Sequence, residues 1–254
     1  ATLNQNGTIE INGDLPGESS IANVGINVKS GTGENRVVNN GVINQNGQNS
    51  IGIDVEAGGK ITHAGVINVN SGVDEGTHYA NYGIRASGED ALAVVSGDVN
   101  LNGDYAIGVQ ARDKGTITLV DDGTVTFNEG SHQTGYYIYG AGSSIIDNAT
   151  SNQTVSTTDS TLYRVDGGAA FDGSSTNKSQ MNATGDNSTI ILTTDAGSSF
   201  NSGKLALSIM GEGSTGVRIE GGATGTITAD ADIVKVAGKG TTAGIVDGNY
   251  YGLD

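Results

Sequence analysis

Tyr136, Tyr137 and Tyr139 fall close together between Gly135 and Gly140. Aromatic rings with a polar tip are favoured at binding surfaces and stack on sugars, which makes this trio a ligand-binding candidate. Packing in a core or at a corner is the competing expectation. Tyr79 and Tyr82, and the pair Tyr250-Tyr251, are further aromatic positions of the same kind. A second candidate surface is polar. Asn27, Asp54, Arg85 and Gln110 hold the same place in four successive copies of a short motif, so stacking of the copies aligns them along one side. An ordinary solvated face is the alternative; a long groove for an extended glycan or protein is the functional reading.

Other chemistry finds less support. A zinc site is not expected: cysteine is absent, and His63, His78 and His132 lack the close spacing of ligand sets, reading instead as exposed loop or coil-face residues. No Gly-x-Ser-x-Gly elbow and no phosphate-binding Gly-x-x-x-x-Gly-Lys-Ser/Thr loop occurs. Carboxylates for acid–base work are nearest one another at Asp121-Asp122 and at Asp230 with Asp232, where Lys235 or Arg218 could stand near the latter pair. Aspartate also favours turns for its own backbone reasons. No tandem calcium nonapeptide is present. No cofactor, metal or catalytic residue is therefore expected.

The elements that position these residues come from internal repeats. One unit is Asn/Asp-Gly followed by alternating apolar residues, as in Asn6-Gly7-Thr8-Ile9-Glu10-Ile11 and Asp122-Gly123-Thr124-Val125-Thr126-Phe127. The other is x-Gly-Ile/Val-polar-apolar, as in Val24-Gly25-Ile26-Asn27-Val28, Ile51-Gly52-Ile53-Asp54-Val55, Tyr82-Gly83-Ile84-Arg85-Ala86 and Ile107-Gly108-Val109-Gln110-Ala111. The two alternate, and successive copies of the second lie 27, 31 and 25 residues apart (Gly25, Gly52, Gly83, Gly108). Glycine, asparagine, serine and threonine interrupt every helical window. Each repeat therefore reads as short strands with apolar residues inward and polar residues outward, turned by glycine and asparagine. The expected fold is all-β: a right-handed parallel β-helix of about ten coils at about 25 residues each. Strand spacing makes it a rod roughly 45–50 Å long. Residues 1–254 read as one solenoid with insertions, the Ser/Thr/Asn-rich stretches 143–161 and 172–188 being candidate protruding loops. The ending at Tyr250-Tyr251-Gly252-Leu253-Asp254 shows no cap, the expectation for a fragment of a longer chain.

Composition agrees. The 254 residues include 42 glycines, one proline and no tryptophan, and hydrophobic residues make up 35%. The net charge of −16 disfavours nucleic acid and anionic lipid as partners. No apolar run is long enough to span a membrane, and no secretory leader is visible.

Repeats such as Asn39-Asn40-Gly41-Val42-Ile43-Asn44 and Ser50-Ile51-Gly52-Ile53-Asp54-Val55 resemble the passenger domains of Gram-negative type V autotransporters, the adhesin group in particular. The resemblance covers most of residues 1–128 and, more loosely, 189–250. It implies secretion through an outer-membrane barrel and display on the bacterial cell surface. It also implies attachment to host glycans or matrix proteins, or self-association between cells. Two other functions are open to a β-helix: a carbohydrate-active enzyme (polysaccharide lyase or hydrolase) and a passive structural stalk.

Overall fold

The computed structural model describes residues 1–15, 22–31, 36–74, 80–175, 180–227 and 234–248. The chain is a parallel β-solenoid with three strands per coil. In the first coil these are β1 (Leu3–Gln5), β2 (Thr8–Ile11) and β3 (Asn23–Val28), and every later coil repeats the order. Third strands form one unbroken nine-stranded sheet from β3 to β27 (Thr242–Asp247). The first face is a six-stranded sheet continued by a three-stranded one, and the second face a five-stranded sheet continued by a four-stranded one. The register column that starts at Val24 in β3 ends at Thr242 in β27. Nine rungs enclose eight turns. The coils are longer than the 25 residues assumed from sequence, which is why fewer than about ten are formed.

Alternation within strands decides what is buried. In Lys60–His63 and Val66–Val69, for example, every second residue is buried and the residue between is half-buried. Inward residues stack on their equivalents: Ile43, Ile67, Val99 and Val125 form one column of the continuous core.

The glycine of the second motif has a packing reason. A Cβ on Gly108 would sit 2.5 Å from the Gly135 carbonyl oxygen and 2.6 Å from Val125 Cγ1. Gly25, Gly52 and Gly83 face the same conflict with the next coil and with a second-face side chain. Two later coils break the pattern, placing Leu162 and Ile190 in this column. The second-face strands that precede them end in Val155 and Ala183, where their neighbours end in Phe127 and Ile209. Large and small residues thus exchange places across the corner at similar total volume.

Corners use left-handed backbone supplied mainly by glycine but also by aspartate: Asp90, Asp113, Asp121, Asp159 and Asp195 all have positive φ. Tyr105 and His132 share this conformation, and their rings stack with centroids 4.9 Å apart. Stacked asparagines complete the second face. Asn68 donates to Asn44 and Asn100 to Asn68, at 2.8 and 3.0 Å. Beside them a second ladder runs Asn128 to Asn102 to Asn70 to Asn46 to Asn12.

The stretch 143–161 is not a protruding loop; it contributes Ser144–Asp147 and Gln153–Val155 to the first and second faces. Ser144 and Thr154 take half-buried outward places in those strands, while Thr157 and Ser160 are buried in the turn that follows them. Within 172–188, strand Gln180–Ala183 likewise belongs to the second face, while 176–179 lie outside the described residues. His63 is also not a surface residue. It is 0% exposed, because it follows Ile61 at the inward period of its strand.

Candidate binding face

The outer side of the nine-stranded sheet carries most of the residues singled out above as candidates for binding. Its rungs used below are Ser50–Val55 (β6), Tyr82–Ser87 (β9), Ile107–Arg112 (β12), Thr134–Tyr139 (β15), Thr161–Asp166 (β18), Thr189–Thr193 (β21) and Thr215–Glu220 (β24). The strands carry Ile26, Ile53, Ile84, Val109, Tyr136 and Tyr163 into the core, so the next residue in each faces out.

Asn27, Asp54, Arg85 and Gln110 do form one column, as the repeats imply, and it continues through Tyr137, Arg164, Leu192, Arg218 and Ile245. A parallel column carries Ser87, Arg112, Tyr139 and Asp166. Tyr82 stands in a third column with Ile51, Ile107 and then Thr134, Thr161, Thr189, Thr215 and Thr242.

The first column is not an ordinary solvated face, the alternative to a groove. Asp54, Gln110, Tyr137 and Arg164 are 5%, 2%, 6% and 6% exposed, while Asn27 is exposed and Arg85 half-buried. Long side chains in adjacent columns lie across one another and exclude water. Arg85 grips Asp54 with two parallel bonds, Nε to Oδ1 at 3.0 Å and Nη2 to Oδ2 at 2.9 Å. Burial pulls the Arg85 pKa down, but the Asp54 hydrogen bond and charge outweigh it and hold the guanidinium above its ordinary value. Arg164 Nη2 donates to Asp166 Oδ2 at 3.1 Å, Arg112 Nε to Asp113 Oδ2 at 2.7 Å, and Arg218 to Glu220. Three guanidinium groups also lie near tyrosine rings: Arg85 at Tyr82 (5.9 Å), Arg112 at Tyr139 (5.5 Å) and Arg164 at Tyr137 (4.4 Å).

The tyrosine trio is split by the pleat. Tyr139 is half-buried on the outer side and Tyr137 lies beside it, their rings 6.1 Å apart edge to face. Tyr136 is a correction: its neighbour-by-one position turns it inward, where it is 0% exposed and stacks on Tyr163 at 4.6 Å. Its hydroxyl donates to Gln153 Oε1 at 2.5 Å and accepts from the Val125 amide at 3.1 Å. Burial pushes its pKa up, and its ring presents no surface to solvent.

At the sheet margin the Asp195 carboxyl hydrogen-bonds Asp166, and this contact, ahead of burial and the Asp166 charge, holds the Asp195 pKa above its ordinary value. Sequence reading missed this pair because its members come from different coils. Asp121 and Asp122 are exposed in a turn, where Asp122 accepts from Thr150 Oγ1, and Asp230 and Asp232 lie outside the described residues, as do His78, Tyr79, Tyr250 and Tyr251. Among the described residues no group of three or more His, Cys, Asp or Glu is placed to hold a metal ion. Comparison with family models, with curated proteins and with solved structures finds no match.

Proposed function

We propose that the chain is an adhesin-type passenger module displayed on a bacterial surface, and that the outer side of its long sheet engages an extracellular macromolecule. The observation that carries this is where the arginines and tyrosines sit. Four of the chain's five arginines (Arg85, Arg112, Arg164 and Arg218) and three tyrosines (Tyr82, Tyr137 and Tyr139) stand on that one side. Arginine and tyrosine are the residue types that dominate binding energy at interfaces. Autotransporter-like repeats supply the surface setting, and register supplies a platform several rungs long. The test is binding of the purified chain to immobilised matrix proteins and glycans. Saturable capture by one of them, weakened at least tenfold when Arg85 and Arg112 are both changed to Gln, is the expected result. Capture unaffected by that double change removes the face from the function.

A further inference from the structure

Each arginine on the face is already paired with a carboxylate: Arg85 with Asp54, Arg112 with Asp113, Arg164 with Asp166 and Arg218 with Glu220. The face therefore carries no surplus of positive charge, and the chain around it carries −16. Such a field repels sulfated or uronate-rich polymers and a second copy of this acidic chain. What the pairing does provide is fixed hydrogen-bonding geometry. A guanidinium carries five N–H donors. Arg112 commits Nε to Asp113, and Arg85 commits Nε and Nη2 to Asp54, which leaves Nη donors on both. The paired carboxylates retain acceptor lone pairs, and Ser87 Oγ, which donates to Asp113 Oδ2 at 3.3 Å, adds a hydroxyl.

These groups cluster. Tyr82, Arg85 and Ser87 belong to β9, Arg112 to β12 and Tyr139 to β15, three successive rungs spanning roughly 10 Å. All five are half-buried, in contrast to the more deeply buried Gln110, Tyr137 and Arg164 beside them. Half-exposed aromatic rings flanked by fixed donors and acceptors match a pyranose, which offers an apolar C–H face and a rim of vicinal hydroxyls that both donate and accept.

We propose that Tyr82, Arg85, Ser87, Arg112, Asp113 and Tyr139 form a subsite for a neutral, hydroxyl-rich glycan. This rests on the reading that the outer side of the long sheet is the binding face, and names its ligand class. The ring of Tyr82 or Tyr139 takes the apolar sugar face, and the Arg85 and Arg112 Nη groups donate to sugar hydroxyls. The Asp113 carboxylate accepts from one of those hydroxyls. Because the ligand is uncharged and the ion pairs are intramolecular, binding is insensitive to salt.

The experiment is titration of the purified chain with neutral polymers (dextran, galactomannan) and charged ones (dextran sulfate, polygalacturonate) in 0.05 and 0.5 M NaCl. The expected result is binding to a neutral polymer with less than about a twofold change between the two salts. Tyr139→Ala and Arg112→Gln should each weaken it about tenfold, Arg112→Lys should not restore it, and Arg36→Gln, outside this face, should leave it unchanged. Unaltered thermal midpoints in these variants keep a loss of binding from being a loss of fold. Binding confined to the charged polymers and falling steeply with salt overturns this inference while leaving the binding face intact. Binding of a matrix protein through the same face, with no glycan bound, does the same. Absence of binding to every polymer and matrix protein overturns both.

Discussion

The Arg164 guanidinium lies 4.4 Å from the centroid of the Tyr137 ring, one rung away, and both side chains converge on a single carboxylate oxygen. Asp166 Oδ2 accepts from Arg164 Nη2 at 3.1 Å and from the Tyr137 hydroxyl at 3.2 Å. All three residues are at most 6% exposed. Removing the acid from such a buried pair strands a desolvated charge, and removing the cation as well does not. Asp166→Ala is expected to cost about 3 kcal/mol of folding stability in urea melts. The double change Asp166→Ala with Arg164→Met should recover part of that. A single-variant cost under about 1 kcal/mol would mean the triangle is only a surface contact.

His63 makes acid sensitivity specific. Its Nδ1 meets Asn39 Nδ2 at 2.9 Å and its Nε2 meets the Asp98 carbonyl at 3.1 Å, so the neutral ring accepts at one nitrogen and donates at the other. Burial, opposed in part by the Asp98 carbonyl and charge, lowers its pKa to about 4 from 6.5. The unfolded chain therefore binds a proton near pH 6.5 that the folded chain refuses until about pH 4. Stability from this residue is undiminished above pH 6.5 and declines as pH falls to about 4, by at most about 3 kcal/mol. Comparing urea midpoints of the parent and His63→Gln between pH 4 and 7 isolates the effect. Parallel curves for the two proteins would disprove it.

The asparagine ladders should behave cooperatively across coils. Asn68 both donates to Asn44 and accepts from Asn100. Asn68→Ala removes both bonds at once, and about 1–2 kcal/mol of stability is expected to go with them. The exposed end of the neighbouring ladder, at Asn128, makes one such bond, and Asn128→Ala should cost less than half as much. Equal losses at the two positions would show that position within the ladder does not matter.

At the glycine corner, Gly108→Ala introduces a methyl group 2.5 Å from backbone oxygen and 2.6 Å from Val125 Cγ1. Overpacking of this kind costs about 1–3 kcal/mol. Pairing it with Val125→Ala relieves only the side-chain half of the clash, so partial rescue is the expected reading of a thermal melt. No loss in the single variant would show that the corner yields freely.

The strands, their alternation and the stacking of motif copies were legible because they depend on neighbours within a few residues. A glycine followed by β-branched residues marks a corner and a rung wherever it occurs, and equal places in successive copies stack. That is how the column through Asn27, Asp54, Arg85 and Gln110 could be read from spacing alone, and its membership is as expected. The same alternation would have placed His63 inside with Ile61, and Tyr136 on the opposite side from Tyr137, had parity been followed through each strand.

What only the tertiary structure decided is how those columns interact sideways. Arg164 reaches Asp166, and Asp166 meets Asp195 from the following coil; Arg112 lies by Tyr139 across adjacent rungs. Coil lengths vary, so which residue of one coil falls beside which residue of the next is set by register and corner geometry rather than by a fixed sequence interval. Burial of polar columns follows from the same cause. A column looks solvated when taken alone, and it becomes close-packed once two neighbours carrying arginine and tyrosine are laid against it, because those long side chains cover apolar and polar surface alike.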